Sequence, residues 1–377
     1  MKLAHVNFNP SRSVYNKVVG QAKAAKQLGL DFEFIVLSND IKRKDENIKL
    51  YKLNLPGNRL LKKMAINFFR FRTISKTVDL APYDRIILRY PNSVDPFYKS
   101  FFKKYENKII TEHQTNAIAE LKTLEVGLLN PLRVFLESIN SPKLLSKVVG
   151  IIGVTDEIRK MQLDLVKTAK PSKTISNGID VESIEFTKFA DFDNRTLNMI
   201  FVSNIFYPWQ GLDRLLQGLI KYKGYIHINL FLAGNIYRRK ELRIIRNLKE
   251  KNVNIHTLGE LQGAKLDDYH INSNVAVSSL ALFRKKMNEA CTLKTREYIA
   301  RGIPFIYAYN DVDIKDDCNF ALRLDNCEDP IDIQKIIQFA QRVSKIDNLS
   351  TKMREYAFKN LDWKNKVKEM YEFALIT

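Results

Sequence analysis

Two glutamates, Glu289 and Glu297, stand eight residues apart, and the second leads into Ala300-Arg301-Gly302-Ile303-Pro304 and an apolar run. That pattern reads as a helix ending at a glycine and running into a strand. A carboxylate on such a helix has two oxygens and can accept two hydrogen bonds from a ribose diol. The start of the helix, at Thr292-Leu293-Lys294, presents backbone N–H groups that favour a diphosphate. His113, within Thr111-Glu112-His113-Gln114-Thr115-Asn116, ends a strand and is by type a proton carrier near neutral pH. Ser13, Tyr15 and Lys17 follow a polar turn and offer donors to a phosphate or a second substrate. Plainer roles fit the same residues: a solvated loop and helix start for the glutamates, helix capping for 13–17, a hydrogen-bonded strand-end histidine for His113. The D-x-D triplets Asp191-Phe192-Asp193 and Asp311-Val312-Asp313 lie in a linker and after a late strand, and read as solvated loops. His5, His227, His256 and His270 are scattered and read as structural. No His/Cys cluster has zinc spacing, and there is no G-x-x-x-x-G-K-[ST] loop.

The elements that must position these residues alternate between strand and helix, which gives parallel sheets covered by helices. Leu3–Phe8 is an expected strand, 13–28 a helix capped by Gly29, and Phe32–Leu37, Arg85–Leu88, Lys108–Thr111 and Val148–Val154 further strands. Lys173–Asp180 reads as a strand entering an Asn-Gly turn, and the polar stretch Glu182–Arg195 as a domain boundary. The pattern then restarts with strands Met199–Val202, His227–Leu232, Val253–Leu258, Val275–Ser278 and Pro304–Tyr307. Helices are expected over 212–221, 238–250 and 293–301, and through the last 50 residues. The expected fold is α/β: two tandem Rossmann-like domains, 1–185 and 195–360, with a cleft between them, and a C-terminal helix, 361–377, packing back toward the first. Ligands of such sheets bind beyond the carboxyl ends of the strands.

The stretch 288–306 resembles the E-x7-E motif of retaining glycosyltransferases of the GT-B fold. Those enzymes read "E…EAMA.G.PVI" where this chain has Glu289…Glu297-Tyr298-Ile299-Ala300-Arg301-Gly302-Ile303-Pro304. Asn177-Gly178-Ile179-Asp180 is similar to the family's "NGVD", and Phe201-Val202-Ser203 with Gly211-Leu212-Asp213 to its "FVGR…KGLD". Leu232-Ala233-Gly234 is similar to its "LxGxG", and Asp362-Trp363 to its "fsW" helix start. The resemblance implies transfer of a sugar with retention from a UDP- or GDP-sugar, without a metal or other cofactor. It implies that Glu297 holds the donor ribose and that Glu289 contacts the transferred sugar, with His113 the other catalytic candidate. Thr292, Leu293 and Lys294 would sit against the diphosphate, with Asn204, Gln210, Gly211 and Gly234 completing the donor site. Tyr15, Lys17 and Glu112 would meet the acceptor. Two departures stand out. Asn204 and Gln210 replace the family's Arg and Lys, so the diphosphate must draw positive charge from Lys294 or, after it, Arg284, Lys285 or Arg238. The family's Gly-Gly loop is replaced by Ser11-Arg12-Ser13-Val14-Tyr15-Asn16-Lys17.

The 377 residues suffice for about two domains, the 45% hydrophobic content is ordinary for a globular protein, and 16 Tyr and 22 Phe argue against disorder. No run approaches the roughly 18 apolar residues of a membrane span, and Met1–Phe8 reads as a strand rather than a leader. Three cysteines, Cys291, Cys318 and Cys327, fit reduced thiols in a cytoplasm. The net charge of +19 is uneven: residues 1–180 carry 31 Lys/Arg against 17 Asp/Glu. Residues 47–78 hold eight Lys/Arg and no acid, and Leu61, Met64, Phe68 and Phe71 fall on one helical face. That is the pattern of a helix lying on an anionic membrane through 58–76, and Phe97–Lys104 adds aromatic and basic residues beside it. Packing of the same helix on its own domain would give the same spacing. The expected partners are a nucleotide-sugar donor, a glycan or lipid-linked acceptor and the inner face of the cell membrane, in building a bacterial surface polysaccharide. A nucleic-acid-binding protein would share the charge but lacks a recognised module. A sugar-nucleotide epimerase of the same fold would bind the same nucleotide without an acceptor, and a non-catalytic relative would fit Asn204 and Gln210.

Overall fold

The computed structural model describes residues 1–39, 45–53, 55–91, 95–123, 130–166, 169–248, 252–315 and 317–377, apart from the side chains of 59, 60 and 63. The chain divides into two compact units, Met1–Asp180 with Asp362–Thr377, and Val181–Leu361.

The first unit opens with β1 (Leu3–Phe8), α1 (Arg12–Gln27), β2 (Phe32–Ser38), β3 (Ile48–Lys52), α2 (Arg59–Phe68) and α3 (Arg70–Thr77). It continues with β4 (Arg85–Arg89), α4 (Tyr98–Lys104), β5 (Ile109–His113), α5 (Ala117–Thr123) and α6 (Asn130–Leu145). β6 (Gly150–Gly153), α7 (Asp156–Val166) and β7 (Ser172–Thr174) follow. The strands form one parallel sheet in the order β3-β2-β1-β4-β5-β6-β7. β2 and the middle of β4 are largely apolar because helices cover a parallel sheet on both faces. α1 buries Tyr15, Val18, Ala22 and Ala25, the three-and-four spacing of one helical face.

The second unit runs β8 (Thr196–Ile205), α8 (Leu212–Lys221), β9 (His227–Asn235), α9 (Arg239–Asn247), β10 (Val253–Gly259) and α10 (Ala264–Ile271). It ends with β11 (Val275–Val277), α11 (Leu293–Arg301), β12 (Phe305–Tyr307), β13 (Ala321–Arg323), α12 (Ile333–Val343) and α13 (Leu349–Asn360). Its parallel sheet has the order β10-β9-β8-β11-β12-β13. The last helix, α14 (Trp363–Ile376), belongs to the first unit, where Trp363 is 2% exposed and its N–H donates to the Ile179 carbonyl. The expected two Rossmann-like sheets are therefore present.

Several local expectations change. β3 and β13 are edge strands that alternation did not reveal, because their residues are half-buried or polar. The helix expected over 238–250 spans Arg239–Asn247, and residues 249–250 lie outside the described chain. The stretch 182–195 is ordered against the second unit rather than loose. Phe189 and Phe192 are buried, Arg354 donates to the Ile184 carbonyl at 2.7 Å, and Asp193 caps Arg195 and Thr196. The basic amphipathic stretch breaks at Phe69 into α2 and α3. Phe71 and Ile74 enter the core, whereas Leu61 is 52% exposed. The aromatics of α4 likewise face inward: Tyr98, Phe101 and Phe102 are buried beside Phe71. An apolar stripe at helical spacing here packs against its own domain through α3 and α4, while α2 keeps Leu61 exposed.

Candidate functional site

In the second unit the strand order reverses between β8 and β11. The chain leaves β8 for β9 on one side and returns to β11 on the other. Ligands of such sheets bind at the carboxyl end of such a pair, and the donor-side residues singled out by sequence lie on the elements around it. β8 ends at Ser203-Asn204-Ile205, with Asn204 exposed. A 3-10 turn, Pro208–Gln210, follows and is closed by Gly211 at φ +70. A Cβ at Gly211 would meet Leu280 Cβ at 2.8 Å, so the left-handed turn and the close approach both require glycine. Gly234, near the end of β9, has φ +136, and its Cβ would lie 1.5 Å from the Ser203 carbonyl oxygen. These two glycines let three strand ends close on one another.

α11 begins at this edge. Thr292 is its N-cap and accepts from the Thr295 N–H through its side chain. The N–H groups of Leu293 and Lys294 are in the first turn, where a helix has no internal acceptor for them. The Lys294 ammonium donates to Gln210 Oε1 at 2.5 Å and lies 5.0 Å from the Phe201 ring centroid. Gln210 Oε1 also accepts from Ser279 Oγ at 3.0 Å. Among the described residues no carboxylate pairs with Lys294, and burial pushes its pKa down to about 7. The Asn/Gln substitution seen in sequence thus has a structural counterpart. Gln210 does not bring a charge of its own but orients the lysine supplied by α11.

The floor beneath Thr292 is a buried polar network. Thr292 Oγ1 lies 2.9 Å from Tyr309 Oη and 3.3 Å from Ser278 Oγ. Arg296, on the inner face of α11, is buried and forks between Asp311 and Asp313. Burial alone would lower the Arg296 pKa, but the two carboxylates outweigh it and hold the guanidinium charged. The second D-x-D triplet is therefore not a solvated loop: its carboxylates serve Arg296 and so anchor α11. Among the described residues no cluster of His, Cys, Asp or Glu is arranged to hold a metal ion.

Glu297 lies one turn into α11, and its side chain is 35% exposed. Arg301 Nε donates to its Oε1 at 3.0 Å, and Arg301 Nη2 lies 2.7 Å from Asp267 Oδ1. Among the described residues nothing else bonds the Glu297 carboxylate, so Oε2 is open. α11 ends at Gly302, φ +88, whose N–H returns to the Tyr298 carbonyl. Glu289 sits on the loop before α11, half-buried, and its backbone bridges to Asn310 just beyond β12. The other basic candidates are committed elsewhere. Arg284 is held bidentately by Asp213 at 2.8 and 2.9 Å and also pairs with Glu328. Lys285 is buried 4.8 Å from the Trp209 ring centroid, and Arg238 pairs with Glu241 at 2.7 Å.

The residues expected at the acceptor lie in the first unit, and the structure buries them. Glu112 Oε1 is 3.0 Å from Lys17 Nζ, and Oε2 is 3.2 Å from His5 Nε2, all three fully or nearly fully enclosed. Burial would raise the Glu112 pKa, but Lys17 and His5 outweigh it and hold it well below the usual range. Lys17 also lies 5.5 Å from the Trp363 ring centroid, and Tyr15 is 7% exposed. This is the geometry of an interior ion pair tying α1, β1, β5 and α14 together. His113 stacks on Tyr90 with ring centroids 4.3 Å apart and is 3.0 Å from Thr111 Oγ1. Burial pushes its pKa down to about 3, so the ring is neutral near pH 7.

Sequence reasoning missed Ser278, Ser279, Tyr309, Asp267 and the pairing of Arg296. A usable signal existed for the serines: they directly follow the apolar strand Val275–Val277, where ligand-facing residues of a parallel sheet sit.

No family model matches the chain, and no curated protein matches it either. Solved structures do. Sucrose-phosphate synthase from Thermosynechococcus elongatus is 15% identical with a TM-score of 0.63, over 99% of this chain and 98% of that one. A glycosyltransferase from Rickettsia africae is 16% identical with a TM-score of 0.64, over 99% and 98%. HepE from Anabaena, solved in complex with UDP and glucose, is 12% identical with a TM-score of 0.62 over the whole of both chains. At such identities the likeness shows the fold, two parallel-sheet Rossmann-like units of the GT-B type.

Proposed function

We propose that the protein is a glycosyltransferase whose second unit binds a nucleoside-diphosphate sugar at the carboxyl ends of β8 and β11. The observation that carries this is the convergence at one edge of three things a nucleoside diphosphate needs. The free turn of α11 offers N–H groups to the diphosphate. Lys294, oriented by Gln210 and unmatched by any carboxylate among the described residues, adds a cation. Glu297, its one oxygen held by Arg301, turns the other toward a ribose diol.

In this reading the acceptor hydroxyl attacks the anomeric carbon on the face from which the diphosphate leaves, giving retention. The bond from that carbon to the phosphate oxygen breaks, the bond to the acceptor oxygen forms, and the acceptor proton passes to the departing diphosphate. Lys294 and the α11 N–H groups stabilise the charge that develops there, and Glu289 contacts the sugar in transfer. No metal is assigned a part, because the acidic pair Asp311 and Asp313 is engaged by Arg296. UDP is the favoured base-bearing group, since HepE was solved with UDP and with UDP-glucose. Peripheral attachment to an anionic membrane through α2, where Leu61 is exposed amid basic sequence, belongs to the same reading, as does a role in surface polysaccharide synthesis. No helix among the described residues is long and apolar enough to cross a membrane.

The test is a thermal-shift panel of UDP, GDP, ADP and CMP, with and without sugars attached, on wild type and Glu297→Ala. A ligand that binds the native state raises its melting temperature. One nucleotide should shift the wild type and not the variant. A folded wild type unmoved by every nucleotide would refute the reading.

A further inference from the structure

The first unit has its own strand reversal, between β1 and β4, and three arginines stand around it. Arg70 begins α3 and lies 5.6 Å from the ring centroid of Phe8, the last residue of β1. Arg89 is the last residue of β4. Arg133 is on α6, one turn before Glu137, which accepts from the hydroxyl of Tyr90 at 2.8 Å and so brings that face of α6 over the end of β4. Among the described residues none of the three has a carboxylate within ion-pair distance. Arg89 Nη1 and Arg133 Nε are buried with no hydrogen-bond partner, and so is the amide nitrogen of Gln114, just beyond β5.

Buried donors without partners cost stability, and buried cations without counter-ions cost more. The nearby acids offset them only in part, and none forms an ion pair with them among the described residues. Glu112 is matched by Lys17 and His5, and Glu137 takes the Tyr90 hydroxyl. Asp95 accepts from the N–H groups of Phe71 and Phe97, and burial lifts its pKa to about 6. At longer range Glu112 and then Glu120 attract Arg89, and Glu137 and then Glu120 attract Arg133. Burial and then the charge of Arg133 push Arg70 down to about 10. Arg70 Nε donates to the Ile66 carbonyl at 2.9 Å, but guanidinium donors left without partners suit one class of ligand, since their planar geometry matches the oxygens of a phosphate.

We propose that Arg70, Arg89 and Arg133, with the Gln114 amide, form a binding site for a phosphate or diphosphate group. Resting on the glycosyltransferase reading, it assigns the acceptor to the phosphorylated class, the phosphate being borne either by a soluble sugar or by a lipid.

The test uses the full chain carrying Lys294→Gln, which removes the cation of the second unit, and titrates sodium pyrophosphate by calorimetry. One site should remain. Adding Arg89→Gln or Arg133→Gln should weaken it by about tenfold or more, with Arg89→Lys intermediate because it keeps the charge and loses the fork. Unchanged melting temperatures certify the fold, and the lysine variant serves where a glutamine variant does not fold. No heat in the Lys294→Gln protein, or the same affinity in the arginine variants, would overturn the proposal. A hexose phosphate, and vesicles of phosphatidylcholine with and without phosphatidic acid, then separate the sources. Arginine-dependent binding to the former assigns a soluble phosphate, and to the latter a lipid one. Nucleotide titrations of the wild type report separately on the donor reading, so the two can fail independently.

Discussion

The two units solve the same topological problem with opposite uses of charge. In the second, the arginines around α11 are matched. Arg296 has Asp311 and Asp313, Arg284 has Asp213 and Glu328, and Arg301 has Glu297 and Asp267, while Lys294 faces the neutral amide of Gln210. In the first, the carboxylate of Glu112 is taken up by Lys17 and His5, while Arg70, Arg89 and Arg133 go without an ion-pair partner among the described residues. Matched charges fix geometry, and their removal leaves a buried partner stranded. Unmatched ones cost stability in the free protein, and an anionic ligand would neutralise them. The contrast separates residues that build each edge from residues that serve it.

The largest effect should come from breaking a matched charge. Arg296→Ala strands two acidic groups under α11 and should destabilise by about 3–5 kcal/mol in urea denaturation. Arg133→Gln, in the other unit, should cost less than about 1 kcal/mol, since it removes an unpaired charge. Equal losses would erase the distinction between the units. Next comes Glu297→Ala, which should lower nucleoside-diphosphate affinity about ten- to hundredfold by calorimetry while leaving the urea midpoint in place.

Lys294 gives a pH signature. Its pKa near 7 means it is charged below that value and neutral above it. Nucleotide affinity should therefore fall as pH rises beyond about 7, by up to about tenfold per unit, and a Lys294→Gln protein should show no such fall. A flat wild-type profile would assign the anion to the helix N–H groups alone. The smallest effect is expected from Arg301→Gln, which leaves Glu297 in place but unheld. A loss of about three- to tenfold in affinity would mark Arg301 as a positioning residue, and no loss would mean Glu297 orients itself.

What could be read from the sequence was what is local. The parallel strands declared themselves as short apolar runs, and α11 by its Gly302 stop, which placed Glu297 and Lys294 on a helix leading into a strand. What could not be read was pairing across distance. Nothing in the neighbourhood of Lys17 says that its ammonium will meet Glu112, 95 positions on, rather than a ligand. The same holds for Asp311 and Asp313: triplet spacing suggests metal or solvent, and only the fold brings Arg296 between them. Phe71 and the α4 aromatics show the limit of amphipathic patterns, since helical spacing records that a face is apolar without saying what covers it. The arginine cluster was missed because its members come from three separate elements and form no motif.

The most direct test of the donor assignment compares a nucleoside diphosphate with its 2′,3′-dideoxy counterpart on wild type and Glu297→Ala, by calorimetry at one pH. The account predicts that removing the diol weakens binding to the wild type by about tenfold or more and changes nothing in the variant, because the partner of the diol is already gone. The same penalty in both proteins, or no binding of either nucleotide to the wild type, would contradict it.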